Sequence, residues 1–127
     1  MQRKKAKANI QIDNERIRVT EYSFNKNGET GFHTHQWDYV VIPQTNGQLL
    51  LIDNNGVETT ATLIKGEPYY RKAGVSHNVI NNGKEKLVFT ELEIKAHSIW
   101  KFYLAIKLLA FAFEIFVLDT ALEINIM

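Results

Sequence analysis

Turn signals recur from Ile10 to Lys95 at intervals too short to leave room for ordinary helices. They fall at Asp13-Asn14, Asn25-Lys26-Asn27-Gly28, Gln44 to Gly47, Asp53-Asn54-Asn55-Gly56, Lys65-Gly66 and Asn81-Asn82-Gly83-Lys84. The runs between them have strand character. Arg16 to Phe24 alternates, with Ile17 and Val19 on one face. Val57 to Ile64 is dense in β-branched residues, and Gln48 to Ile52, Glu67 to Arg71 and Lys86 to Lys95 are short and bounded. Asp53 to Gly56 and Asn81 to Lys84 are hairpin signals. Many short strands at this spacing predict an all-β sandwich or barrel.

One run carries chemistry. Gly31-Phe32-His33-Thr34-His35-Gln36-Trp37-Asp38-Tyr39 leads into Val40-Val41-Ile42 and reads as one strand ending at Pro43. Side chains alternate along a strand, so His33, His35, Trp37 and Tyr39 share a face and Asp38 takes the other. Two imidazoles on one face can grip a metal ion, and a third ligand completes the grip. The chain holds four histidines. His77, placed by a loop from Ala73 to Ser76, is the candidate, and His97 is the remainder. Exposed strand histidines are ordinary, so the pair alone is a weak signal.

The wider pattern strengthens it. Gly66, Gly74, His77 and Asn81 fit the spacing G-x5-P-x-G-x2-H-x3-N, with Lys72 in the proline's place, and Gly47 closes the first motif after the histidine pair. These paired motifs resemble those of the cupin superfamily over about residues 10–95. The resemblance implies a double-stranded β-helix, the cupin jelly-roll barrel, with a pocket inside it. It implies a divalent transition metal (Fe, Zn, Ni or Mn) held by His33, His35 and His77, and a small-molecule ligand. The leading glycine, Gly31, also sits closer to the histidines than the family motif has it, and one departure matters most: the usual glutamate position holds Tyr39, with Asp38 beside it. Tyr39 and Asp38 are both candidates to tune the ion. Arg71 shares a strand face with Tyr69 and is the candidate clamp for a substrate carboxylate. Tyr22 and Trp37 are candidates for an apolar pocket wall. Glu91 lies on the parity opposite Val88 and Leu92, and parity alone leaves its direction open.

With 127 residues, 45% of them hydrophobic, the chain supports one compact domain at residues 1–95. A formal net charge of +1 excludes a strong nucleic-acid footprint. The basic cluster Arg3, Lys4, Lys5 and Lys7 reads as a solvated end. No cysteine is present, so thiolate ligands and disulfides are excluded, and a reducing cytoplasm fits.

Residues 96–127 differ in kind. No glycine follows Gly83, no proline follows Pro68, and Ile99 to Leu118 is almost wholly apolar. Ser98 is a plausible cap for a helix there, and Lys107 and Glu114 share a narrow polar stripe one heptad apart. Such a helix is long enough to cross a bilayer, but Lys101, Lys107 and Glu114 oppose insertion. Packing on the barrel or across a homodimer interface is the preferred reading over a membrane anchor. Small cupins usually end near Lys95, so the resemblance is silent about this extension.

Three functions fit. The first is a metal-dependent cupin enzyme acting on a small organic acid, by oxygenase, isomerase or lyase chemistry. The second is a non-catalytic ligand-binding or sensor module. The third is a metal-free sugar-type isomerase or epimerase with His33 or His77 as base and Tyr39 as acid. No nucleophile elbow or phosphate-cradling glycine loop occurs.

Overall fold

The computed structural model describes residues 2–95 and 104–114. The chain divides into two compact units, Met1–Lys95 and Ala96–Met127. In the first unit nine strands follow one another: β1 (Lys7–Asp13), β2 (Ile17–Phe24), β3 (His33–Thr34), β4 (Asp38–Pro43), β5 (Gly47–Asp53), β6 (Glu58–Leu63), β7 (Tyr69–Arg71), β8 (Ser76–Asn81) and β9 (Leu87–Ile94). They build a five-stranded sheet, β1-β2-β9-β4-β7, and a four-stranded sheet, β3-β8-β5-β6. Every pairing between these strands is antiparallel. This is the all-β jelly roll that the turn spacing and the paired motifs imply.

The core lies between the two sheets. Phe24, Tyr39, Val41, Leu87 and Phe89 come from the five-stranded layer, and Leu49, Leu63 and Val79 from the other. Along β4 and most of β9 these residues alternate with more exposed neighbours, as a sheet with one buried face requires, whereas β8 is buried continuously from Val79 to Asn81. Phe24 is fully buried, and its ring stands 5.4 Å from that of Phe89, which in turn meets Tyr22 at 5.5 Å. Tyr22 therefore belongs to this aromatic cluster. Gly47 is required by close approach: a β-carbon there would fall 2.4 Å from Cδ1 of Leu87.

The turns at Asp13-Asn14 and Asp53 to Gly56 close true hairpins, β1–β2 and β5–β6. The turn at Asn81 to Lys84 does not. It carries the chain from β8 in one sheet to β9 in the other. Asn81 explains the crossing. Its buried side chain donates to the carbonyls of Asn25 (3.2 Å) and Glu85 (2.8 Å) and accepts from the Gly83 amide (3.0 Å). Those bonds lock the loop to its neighbour instead of folding β9 back on β8.

The histidine run also differs from a single strand. β3 and β4 belong to different sheets, and a bend at Gln36-Trp37 separates them. The basic N-terminal residues are not merely a solvated end. Glu29 donates its amide to the Lys4 carbonyl and accepts from the Ala6 amide, and its carboxylate draws in Arg3 and Lys5. In the second unit, residues 104–114 are helical, and their large apolar side chains, Leu109 among them, are exposed. Ser98 and the remainder of the apolar run lie outside the described residues. Among the described residues, no helix is long and apolar enough to cross a membrane.

Candidate metal centre

His33 and His77 face each other directly, as Cα partners on the antiparallel strands β3 and β8. His35 lies one step beyond β3, yet its backbone stays in the ladder: its amide donates to the Val75 carbonyl (2.9 Å) and its carbonyl accepts from Gly74 (2.8 Å). That continued pairing keeps His33 and His35 on one face. Gly74 makes it possible by adopting φ +93°, a left-handed conformation that side-chain-bearing residues resist. Space is not the reason, since a β-carbon there would meet nothing within 4 Å.

The three imidazoles converge. Nε2 of His35 stands 3.0 Å from Nε2 of His33 and 3.1 Å from Nε2 of His77. The rings are mutually edge-on, with interplanar angles of 74°, 66° and 86°. Nδ1 of His33 lies 2.9 Å from the Gly31 carbonyl, which only accepts, so that nitrogen carries the proton and Nε2 presents its lone pair to the cluster. Burial, reinforced by the neighbouring histidines, pushes His35 down to about 4. Burial, His33 and Arg71 push His77 down to about 4. Both rings are therefore neutral at pH 7, the state a metal ligand needs. Nitrogen lone pairs aimed at one point repel unless a cation or a proton lies among them, and this donor set fits a divalent ion.

Tyr39 and Asp38 part ways. The Tyr39 ring stacks on His35, with centroids 3.8 Å apart and planes 16° from parallel. Burial, and after it the Glu91 carboxylate, drives its phenol well above the usual range, so it stays protonated. Asp38 points to the outer face, where it accepts hydrogen bonds from the Tyr70 hydroxyl and the Ala73 amide. The Tyr70 bond is the main cause of its lowered pKa. Strand parity groups Trp37 with the histidines, but its ring instead lies 5.3 Å from the Arg18 guanidinium and 5.3 Å from the Lys95 ammonium. The bend at the sheet crossing resets the alternation there.

Beside the cluster is a cavity of about 190 Å³. His77, Tyr39, Tyr69, Arg71, Asp53 and Glu91 supply its polar lining, and Val41, Leu49, Leu51, Val79 and Phe89 its apolar walls. The Arg71 guanidinium sits 4.8 Å over the Tyr69 ring. Glu91 is 7% exposed, and burial, then Glu93, pushes its carboxyl up to about 7. Its Oε1 is 3.9 Å from Nδ1 of His35. The signal for its inward direction is in the sequence: Leu87 and Phe89 share its parity, and both are core residues. The outer parity, Val88 and Leu92, is also apolar, which is why parity alone could not decide.

No protein-family model matches the chain. Among curated proteins, the chain is 48% identical over 93 residues to the β-alanine degradation protein BauB of Pseudomonas aeruginosa. That match spans 73% of this chain and 97% of the relative. Among solved structures, a cupin domain from Bordetella pertussis is 51% identical, with a TM-score of 0.72, covering 76% of this chain and 99% of that one. A double-stranded β-helix protein from Klebsiella pneumoniae, 18% identical with a TM-score of 0.60 over 71% of this chain and 76% of its own, shares the fold.

Proposed function

Because this chain belongs to the cupin superfamily, we propose that it is a metal-binding cupin enzyme acting on a small organic acid inside the barrel. One observation carries the reading: three histidines from two neighbouring chain segments bring their Nε2 atoms together, and one of them, His77, lines a small cavity. His33, His35 and His77 are the ligands. Once bound, a divalent transition metal supplies Lewis acidity, or redox chemistry if it is iron.

The chain's own residues do the rest. Tyr39 holds the His35 ring flat. Arg71, whose planar fork matches a carboxylate, orients an acid within the cavity. The apolar walls exclude water and strengthen polar contacts at the reacting end. The name of the Pseudomonas relative points to β-alanine breakdown, and a small carboxylate of that chemical class suits a cavity of about 190 Å³.

Two measurements test this. Elemental analysis of the protein as isolated is expected to give a stoichiometric transition metal that His33→Ala removes. Calorimetric titration of zinc-loaded protein with propionate and β-alanine is expected to show binding that Arg71→Ala weakens while the metal stays. A protein that is metal-free as isolated and binds no added zinc ends the proposal.

A further inference from the structure

Tyr39 occupies the position where the paired motifs put a carboxylate. The chain nevertheless has an acidic group at the same cluster, delivered by another strand. Glu91 is on β9, directly across from Val41 on β4 and diagonal to Tyr39. Inside the barrel it reaches the far side of His35. Its Oε1 faces Nδ1, while Nε2 of the same ring points into the histidine cluster.

The two residues suit each other. His35 and Glu91 are both buried, with side-chain exposures of 4% and 9%. Nδ1 is the ring nitrogen that the cluster leaves unused, and the Glu91 carboxyl group lies beside it. Glu93, next inward on β9, is drawn to Arg18 instead, with 3.8 Å between Oε2 and Nη1. Glu91 has no such cation among the described residues, so its carboxylate remains available to the imidazole. His33 already has such an acceptor at its own Nδ1, the Gly31 carbonyl at 2.9 Å.

We infer that Glu91 is the positioning residue for His35. A closer approach of about 1 Å brings its carboxylate from 3.9 Å to hydrogen-bonding distance of Nδ1–H; there it accepts that bond, fixes the tautomer whose Nε2 lone pair faces the ion, and makes that nitrogen a stronger donor. The carboxylate missing from the motif thus acts from behind a ligand instead of as one. The inference rests on the metal-centre reading, and the experiment separates the two.

Zinc affinity is measured by chelator competition for the full chain and for Glu91→Gln and Glu93→Gln, and the visible spectrum of each cobalt-loaded protein is recorded. Glu91→Gln is expected to weaken zinc roughly 10- to 100-fold and to shift the cobalt bands. Glu93→Gln is expected to lose much less. Wild-type affinity in Glu91→Gln, or an equal loss in Glu93→Gln, overturns the inference and leaves the metal centre standing. Failure of the unsubstituted chain to bind zinc or cobalt overturns both.

Discussion

Tyr39 lies face to face with His35, its ring centroid 3.8 Å away. A metal ligand backed by a flat ring has little freedom to turn. The contact needs only the aromatic plane, because burial keeps the phenol protonated. Tyr39→Phe is therefore expected to bind zinc about as tightly as the parent. Tyr39→Ala is expected to lose affinity and to destabilise the fold by roughly 3–5 kcal/mol, the usual cost of truncating a buried aromatic. Chelator competition and chemical denaturation check the two effects. If Phe loses as much zinc affinity as Ala, the hydroxyl is part of the coordination.

The metal-free protein is expected to lose stability in mild acid. His35 and His77 titrate near 4 in the fold, below the ordinary value of 6.5. Between those values the unfolded chain binds more protons, so stability falls as pH drops from about 6.5 towards 4, by on the order of a few kcal/mol for the pair. Denaturation midpoints at pH 8, 6 and 5 without metal read this directly. Saturating zinc, which binds the neutral rings, is expected to raise the midpoint at each pH.

Glu91 has the opposite sign. Its carboxyl is raised from 4.5 to about 7, so the folded state holds the extra proton between those values, and stability falls as pH rises through them. Glutamine cannot ionise. Metal-free Glu91→Gln is thus expected to be more stable than the parent at pH 8 by roughly 1–3 kcal/mol, with the gap closing near pH 4. Weaker metal binding in a more stable protein is a combination that a merely structural role for Glu91 does not produce.

Asn81 and Gly47 match the paired motifs for reasons of packing. Asn81→Ala removes a buried amide's three hydrogen bonds, to two carbonyls and one backbone amide, and is expected to cost about 2–4 kcal/mol. Gly47→Ala drives a methyl into Leu87 and is expected to cost about 1–3 kcal/mol. Neither change is expected to alter metal content per folded molecule, measured on the native fraction.

The apolar side chains of residues 104–114 are exposed in their own unit. By size-exclusion chromatography with light scattering, the full chain is expected to run as a homodimer and a chain truncated after Lys95 as a monomer. An unchanged oligomer counts against a homodimer interface in that segment.

Much of the fold was legible because glycine, asparagine and aspartate mark real turns. Strand bounds moved by a residue or two, and motif spacing brought three distant histidines to one place. Parity arguments held where pairing was continuous, as from His33 to His35, and failed across Gln36-Trp37, where the chain changes sheets. Local signals cannot tell a hairpin turn from a crossing turn: the Asn81 to Lys84 segment reads as the first and is the second. Glu91 was ambiguous because both faces of β9 carry apolar residues, and only the partner sheet decides which face is covered.

The break between β3 and β4 has a mechanical consequence. His33 and His77 belong to one layer of the sandwich, while Tyr39 and Glu91, which contact the third imidazole, belong to the other. An ion lodged among those nitrogens would pin the β3 segment to β8 within one layer. Peeling that short edge strand away would then require breaking coordinate bonds, so its resistance to unfolding under load would report occupancy of the site.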